Sequence, residues 1–555
     1  MRMQIDRRKA LGLLGAGAAG PVPGLAAAAT VDASGQQFRW GVASGDPLAR
    51  AVILWTACAS PGEVRWEVAL DARFKRVARR GAAVAAAGRD NTVKVDVGGL
   101  SAATDYFYRF RKGGEVSPVG RTRTLPVGPT KDVVLAVANC ALYPNGYYNA
   151  YGAIAALPRV DAVLHLGDYI YEYGGANSYG MDSKVAAERP HDPPHECVTL
   201  ADYRRRHAQY KSDPQLQAAH ARAPWIVVWD DHETANDSYV GGAQNHQPAS
   251  EGDWNTRKAA AIKAYYEWMP IREPAAGGFA IYRSFDFGDV ASLFMFETRL
   301  TARDKQVTLD ELPDAPSAAQ VADFRARIDD PSRKMMSPAQ EAWLAAGLEA
   351  SVRAGRPWQV LGNQVVMARM ATPSIRKAIG EAAFAGLVGG APPYLANHLK
   401  KGDLAAELGL PYLLDSWGGY PADRQRLYAL IAAAKANCVV VSGDSHAFWA
   451  NELYDAPEAG RRAAVEFGAT SITSPGDGEY LPRLPLGQMF ADGNREVLFS
   501  DQTAKGFVLL TLTREAAVGE LITVSTIVEK TFETKVLKRY RATPGPDGVS
   551  GLTEV

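Results

Sequence analysis

Residues 160–171 read VDAVLHLGDYIY, an apolar run that ends in Gly167, Asp168 and Tyr171. Three other runs share this form. DVVLAVANC (132–140) ends in Asn139-Cys140, PWIVVWDDHE (224–233) in Asp230-Asp231-His232 with Asn236 just beyond, and NCVVVSGDSH (437–446) in Gly443-Asp444 and His446. Near-continuous Val, Ile and Leu runs of this length fit strands buried on both faces. Helical patterns lie between such runs, at Tyr203 to His220, Trp254 to Trp268, and 337–355, which opens on a capping Ser337. Alternating strand and helix predicts a layered α/β domain. In open α/β sheets ligands bind beyond the carboxyl ends of the strands, so four polar clusters at four strand ends converge on one edge.

Upstream, residues 38–125 hold shorter strand candidates: AVILWTA, EVRWEVAL, NTVKVDV, TDYFYRFRK and VGRTRTL. Their spacing predicts a small fibronectin-like β-sandwich over 30–127. Tyr106 reads either as the corner tyrosine of such a module or as an ordinary buried aromatic. PVGPTK (126–131) reads as a linker into a catalytic domain at 128–540. Residues 301–335 and 371–425 read as insertions over a site, either lids or helical excursions. Strands return from 495 to 540, and 541–555, rich in Pro and Gly, read as a flexible tail.

Lys+Arg and Asp+Glu both number 61, which excludes whole-chain attraction to nucleic acid. Apolar residues at 47% exclude a disordered or fibrous chain. No apolar run reaches the roughly 18 residues that a membrane span needs, so no stable membrane anchor is expected. Four cysteines in 555 residues do not make a disulfide framework. Residues 1–29 place Arg7-Arg8 before a modest Ala, Gly and Leu stretch and end near Ala27 and Ala29. That order predicts a twin-arginine export signal, and hence a periplasmic or secreted protein handled by the twin-arginine machinery.

The polar clusters carry metal chemistry. Asp168 is placed to bridge two cations. A thiolate at Cys140 and a phenolate at Tyr171 favour a redox-active metal, ferric iron above all, and His446 adds a nitrogen. Asp231, Asn236 and Asp444 offer oxygens that suit calcium. Taken singly, Cys140 reads as a buried small hydrophobe, Tyr171 as core, and Asp230-Asp231 as turn residues. Their arrival at successive strand ends favours the site. GLLGAGAAG in the leader follows no strand and is no nucleotide loop, and no G-x-S-x-G elbow occurs.

The blocks FRWGVASGDP, NC with Gly146-Tyr147-Tyr148, HLGDYIYEYG, WDDHETAND, SWGGYPADR, VVVSGDSHAF and EFGATSITSPG resemble the PhoD-type alkaline phosphatases, a branch of the calcineurin-like metallophosphatases. The resemblance runs in order from about residue 38 to about 480. It implies a metallophosphatase-type layered β-sheet sandwich flanked by helices, and phosphomonoesterase and phosphodiesterase activity on small-molecule or lipid phosphoesters. It implies Fe3+ at Cys140, Asp168, Tyr171 and His446, and Ca2+ near Asp168, Asp231, Asn236 and Asp444, with Zn2+ or Mn2+ as alternatives. The wider family's D-x-H block stands here as Asn139-Cys140, and its G-H-x-H as Gly443-Asp444-Ser445-His446. These departures disfavour the purple acid phosphatases. The mechanism expected from the resemblance is in-line attack on phosphorus by a metal-bound hydroxide. In it His232 protonates the leaving alkoxide, Arg257 or Arg299 clamps a phosphate oxygen, and Asn139 binds phosphate or orients Cys140. Other chemistry on the iron, or a non-catalytic surface-binding module, are the competing readings.

Overall fold

Leu293, Val360, Val439 and Val465 face one side of a seven-stranded sheet, and their chain neighbours Phe294, Leu361, Val440 and Ala464 face the other. Strand geometry alternates side chains between faces, so a run apolar at every position requires cover on both. Here one face packs on a second sheet. The other meets Leu344 and Leu348 of helix Pro338–Arg353 and Leu427 and Ile431 of helix Pro421–Ala434. Each buried aliphatic side chain of this kind contributes roughly 1.5–3 kcal/mol.

The computed structural model describes residues 36–175, 178–274, 281–391 and 393–555. The expected export signal at 1–29 lies outside them. The seven-stranded sheet runs Arg283–Phe287, Ala291–Met295, Trp358–Gly362, Cys438–Ser442, Arg462–Gly468, Phe448–Tyr454 and Val497–Asp501. Its partner has ten strands. At its centre Lys505–Thr513, Asp132–Ala138, Ala162–His165 and Trp225–Val227 lie side by side, the last three mutually parallel. Helices Asn149–Ala156, Leu200–Lys211, Pro214–Arg222 and Trp254–Trp268 add Tyr151, Tyr203, Leu216 and Tyr265 to the same core. The architecture is the expected layered sandwich flanked by helices. The helix expected from Tyr203 to His220 is two helices. Asp213 caps the second by accepting from the amides of Gln215 and Leu216, with Pro214 at its first position.

The expected N-terminal sandwich shares a layer with the larger sheet. Val42–Gly45 pairs parallel with Trp225–Val227, and Val52–Ala57 and Thr92–Val97 extend that sheet outward. A second small sheet, built on Gly62–Ala69, Val77–Ala85 and Asp105–Lys112, closes over Val52, Leu54 and Val93 through Val64, Val68 and Phe110. Tyr106 is the corner tyrosine: it is buried, and its hydroxyl accepts from the Ser101 amide at 2.9 Å. The 541–555 segment is not loose. Its Pro and Gly residues turn the chain between Thr534–Ala542 and Thr553–Glu554, which pair antiparallel, and Val549 and Leu552 are buried. The insertions are helical, with Ala318–Ile328 in the first and Ile375–Ile379, Glu381–Gly390 and Pro393–Leu408 in the second.

Behind the strands that deliver Asp168 and Asp231 lies a buried lysine. Lys211 Nζ sits 2.8 Å from His220 Nε2, with the rings of Trp55 and Tyr169 at 4.7 and 5.1 Å, and no carboxylate pairs with it among the described residues. Burial holds its ammonium well below the ordinary 10.5. Between that depressed value and 10.5 the unfolded chain binds a proton that the native chain does not, so native stability rises with pH across the window. Lys211→Met removes this slope. We expect the variant to be about 1 kcal/mol more stable at pH 7.5, with the gain shrinking as pH approaches 10. Urea melts at the two pH values check this, and a gain that grows with pH would refute it.

Candidate metal centre

The four strand ends deliver their side chains through strained backbone. Cys140, Asp168, Asp237, Asp444 and His446 all have left-handed φ, between 53° and 65°. For a non-glycine residue this costs of order 1 kcal/mol or more, and such strain collects at functional sites. Gly167, at φ 118°, makes the turn into Asp168. A Cβ there would overlap the Asp230 side chain and backbone, so only glycine lets the two strand ends meet. Glu233 then ties them together. Its carboxylate accepts from the amides of Asp168 (3.0 Å), Tyr169 (2.6 Å) and Asp230 (2.8 Å), and burial pushes it up to about 8.

Cys140, Asp168, Tyr171 and His446 form one cluster. Asp168 Oδ2 lies 3.3 Å from Cys140 Sγ and 3.0 Å from the Tyr171 hydroxyl, which is 3.4 Å from His446 Nε2. His446 Nδ1 faces the Pro475 carbonyl at 2.8 Å and the Tyr179 hydroxyl at 3.0 Å. Donation to that carbonyl leaves Nε2 as the lone-pair nitrogen facing the cluster. Ser474 Oγ lies 2.6 Å from the Tyr171 hydroxyl.

The second cluster is carboxylate. Asp168, Asp230, Asp231 and Asp444 bring one oxygen each within 4.8 Å of one another, and Asp231 forms a similar group with Asp237 and Asp415. Arg299, fully buried, lies among them. It pairs with Asp230, donates to Asp415 at 2.6 Å, and stands 3.5 Å from Asp444 and 3.9 Å from Asp231. One guanidinium does not balance so many carboxylates. Burial and neighbouring carboxylates push Asp168 and Asp444 well above the usual range, Asp230 to about 6 and Asp237 to about 7. Burial and the same carboxylates hold the Cys140 thiol well up. Sulfur, phenol, imidazole and carboxylate converge on one point and carboxylates crowd another, so the donor set fits two cations that share Asp168.

His232 flanks the clusters. Its Nδ1 is 2.7 Å from Glu172 Oε2, and its ring packs on Tyr171 with centroids 4.1 Å apart. Burial opposes its charge, but Glu172, Asp231 and Asp168 prevail and hold the imidazolium well above its usual value. The other carboxylate oxygen of Glu172 is fixed by the Asn236 amide at 2.7 Å and Asn245 Nδ2 at 2.8 Å.

Not every expected residue reaches the centre as anticipated. Arg257 is fully buried and all three of its guanidinium nitrogens are engaged: by Tyr203 (3.0 Å), the Asn245 carbonyl (2.9 Å), Glu251 (2.8 Å) and Glu196 (2.7 Å). It supports the Asn245–Glu172–His232 chain and has no fork left for phosphate. Arg299 uses Nε on Asp230 and one Nη on Asp415, and its other Nη has no hydrogen-bond partner among the described residues. The Asn139 amide donates at 3.0 Å to the Ala469 carbonyl, joining the edges of the two sheets. The Asn236 side-chain nitrogen donates to Gln244 Oε1 at 3.1 Å, its backbone amide donates to Glu172 at 2.7 Å, and the residue lines the cavity beside the carboxylates. Glu172, Glu233, Asp237 and Asp415 were not singled out from the sequence, though Glu172, Glu233 and Asp237 lie inside the quoted GDYIYEYG and WDDHETAND blocks and Asp415 directly precedes SWGGYPADR. A cavity of about 660 Å³ opens beside the carboxylates, lined by Asn236, Asp237 and Asp415 on one side and by Leu395, Leu399 and Leu486 of the helical elements on the other.

A family model described as PhoD-like phosphatase matches residues 135–521, and one for the PhoD-like phosphatase N-terminal domain matches 24–126. Alkaline phosphatase D of Bacillus subtilis (strain 168) is 36% identical over 499 residues, covering 86% of this chain and 76% of its own. A solved structure described as PhoD superposes with a TM-score of 0.77 at 32% identity, over 94% of this chain and 92% of that one. A purple acid phosphatase from yellow lupin (Lupinus luteus) seeds shares the fold, with a TM-score of 0.50 at 12% identity over 86% of this chain and 71% of its own.

Gly167→Ala tests the strand-end geometry. The added methyl must displace the Asp230 segment, so we expect a loss of about 2–3 kcal/mol in urea melts together with loss of bound metal. Wild-type stability and metal content in the variant would show that Asp168 and Asp230 are not locked together in this way.

Proposed function

The chain belongs to the PhoD-like phosphatase family, and from that premise we propose that it is an exported phosphatase and phosphodiesterase with a mixed iron–calcium centre. As a family member it is a metal-dependent phosphoric ester hydrolase. The observation that carries the finer reading is the sharing of Asp168 between a sulfur–phenol–imidazole cluster and an all-carboxylate one. Cys140, Asp168, Tyr171 and His446 would hold Fe3+. Asp168, Asp231, Asn236 and Asp444 would hold Ca2+, with Asp230 beside them. Bound cations supply Lewis acidity, an acidified water for in-line attack, and charge neutralisation at the phosphoryl oxygens.

The protein's own groups do the rest. Asp168 belongs to both clusters and ties them together. Arg299 holds Asp230, Asp415 and Asp444 in place and offsets part of their repulsion. His232, kept protonated and oriented by Glu172, delivers a proton to the leaving alkoxide. The Pro475 carbonyl and Tyr179 keep His446 Nε2 turned inward. The 660 Å³ cavity has room for the alcohol portion of a sizeable ester, small-molecule or lipid. Arg7-Arg8 and the Ala27 and Ala29 pair support export by the twin-arginine route to the periplasm or medium.

The test is metal analysis by plasma mass spectrometry on the mature protein, with p-nitrophenol release assayed from a monoester and a diester beside Cys140→Ala and Asp168→Asn. We expect iron plus calcium in the wild type. Iron and activity should fall together in Cys140→Ala, and both metals should be lost in Asp168→Asn. A full complement of zinc or manganese with Cys140→Ala still active would overturn the iron–thiolate assignment. Absence of release from either ester by folded, metal-loaded protein would overturn the hydrolase reading.

A further inference from the structure

Arg424, in the SWGGYPADR block, has no part in the metal centre. Its side chain is buried, with the residue 4% exposed, and it forms no ion pair with a carboxylate among the described residues. Its one hydrogen bond runs from an Nη to the Met367 carbonyl at 3.3 Å, and its Nε has no partner. Buried guanidinium groups are ordinarily paired, because an unpaired one costs several kcal/mol. The contrast within this chain is sharp: Arg257 and Arg299, equally buried, are each held by two or more carboxylates.

Arg424 lines a cavity of about 470 Å³ that shares no residue with the metal clusters. Three further arginines line it: Arg325, Arg369 and Arg495. The carboxylates on the lining are Asp329 and Glu496, and Glu496 is occupied by Arg369, through both its amide and an Nη at 2.6 Å. Arg325 and Arg495 donate to the carbonyls of Leu408 and Pro457, so they bring uncompensated positive charge to the rim. Helix Pro421–Ala434 also begins at this wall. Its N-cap, Tyr420, gives no side-chain cap, and the Asp423 carboxylate turns away to Met336 and Arg426. The positive end of the helix dipole therefore lies at this wall beside the arginines.

We infer that this cavity is a second oxyanion site, which takes a phosphate-class group against the Arg424 fork. The Nη groups of the guanidinium can donate to the oxygens of a phosphate, and a bound phosphate supplies the direct ion pair that Glu496 and Glu466, which act on Arg424 only through space, do not make. Burial depresses the basicity of Arg424 and the nearby Arg369 adds to this, against the opposing pull of Tyr428, Glu496 and Glu466. The phosphate group has two sources, free inorganic phosphate or a second phosphate on a larger substrate.

Isothermal titration of the metal-loaded enzyme with inorganic phosphate tests the site, beside Arg424→Met, Arg424→Lys and Arg325→Gln. The wild type should bind one more equivalent than Arg424→Met. Arg424→Lys, which keeps the charge and loses the fork, should weaken that equivalent about tenfold. In phosphate-free buffer the thermal midpoint of Arg424→Met should equal or exceed that of the wild type, since no charged partner is orphaned and the bond lost to the Met367 carbonyl is long. Arg325→Gln, on the rim, keeps the test open should the buried variant fail to fold, and should weaken the same equivalent severalfold. Equal stoichiometry in the wild type and Arg424→Met, or unchanged affinity in Arg325→Gln when the methionine variant does not fold, overturns the inference. Hydrolysis of p-nitrophenyl phosphate should be unchanged in every variant, which separates this outcome from failure of the phosphatase reading. With the extra equivalent lost, a KM raised for ATP but not for p-nitrophenyl phosphate assigns the bound group to the substrate, and unchanged KM values for both assign it to free phosphate.

Discussion

Repulsion among carboxylates sets the terms for this molecule. Asp168, Asp230, Asp231, Asp237, Asp415 and Asp444 are gathered where two sheets end, and Arg299 stands among four of them. In a buried setting each added negative charge raises the cost of the next. Cations bound there would relieve it, so metal binding and native stability would be coupled by the same charges. Arg299 makes the metal-free arrangement tolerable without supplanting the metals: it carries one charge, and its Nη2 stays beyond hydrogen-bond range of both Asp231 and Asp444.

The backbone bears a second cost. Five non-glycine residues sit in the left-handed region at the rim of the centre. Such residues persist where their surroundings over-determine them. Here the restraint comes from the parallel strands on one side and from a layer of polar clamps on the other: Glu233 across two strand ends, Asn139 between the sheets, and Glu172 beneath His232. Arg257 belongs to this layer, one step further out. The clustered side chains and the clamps therefore form one hydrogen-bonded body, so a change at a clamp is felt in the cluster through a single bonded contact.

Much of this was legible in the sequence, and the gaps have physical causes. Apolar runs covered on both faces announce themselves without ambiguity, and each was followed by the polar residues that define the centre. Cys140, Asp168, Tyr171, Asp231, Asp444 and His446 lie together as the strand-end rule requires. Arg257 was misjudged because a side chain's charge is visible in sequence while its partners are not, and Glu196 and Glu251 lie 61 and 6 residues away. Asp415 lies in an inserted segment, where no periodicity reports which way a side chain faces. The 541–555 segment misled because Pro and Gly mark a tight turn between strands as readily as a loose end. The shared layer of the N-terminal sandwich was hidden for a related reason: edge pairing between Val42–Gly45 and Trp225–Val227 leaves no trace in either segment.

The order of strands in the ten-stranded sheet also bears on biosynthesis. The strand that carries Cys140 has Ala162–His165 on one side and Lys505–Thr513 on the other. The first neighbour is made within moments, whereas the second emerges from the ribosome after almost the whole catalytic domain has been translated. A nascent chain thus displays a thiol and several carboxylates well before His446 and the closing strand exist. Discrimination among metals by geometry and donor type belongs to the completed site alone. Ions picked up earlier meet only part of the donor set, so final occupancy is decided after translation, in whichever compartment the last strand docks.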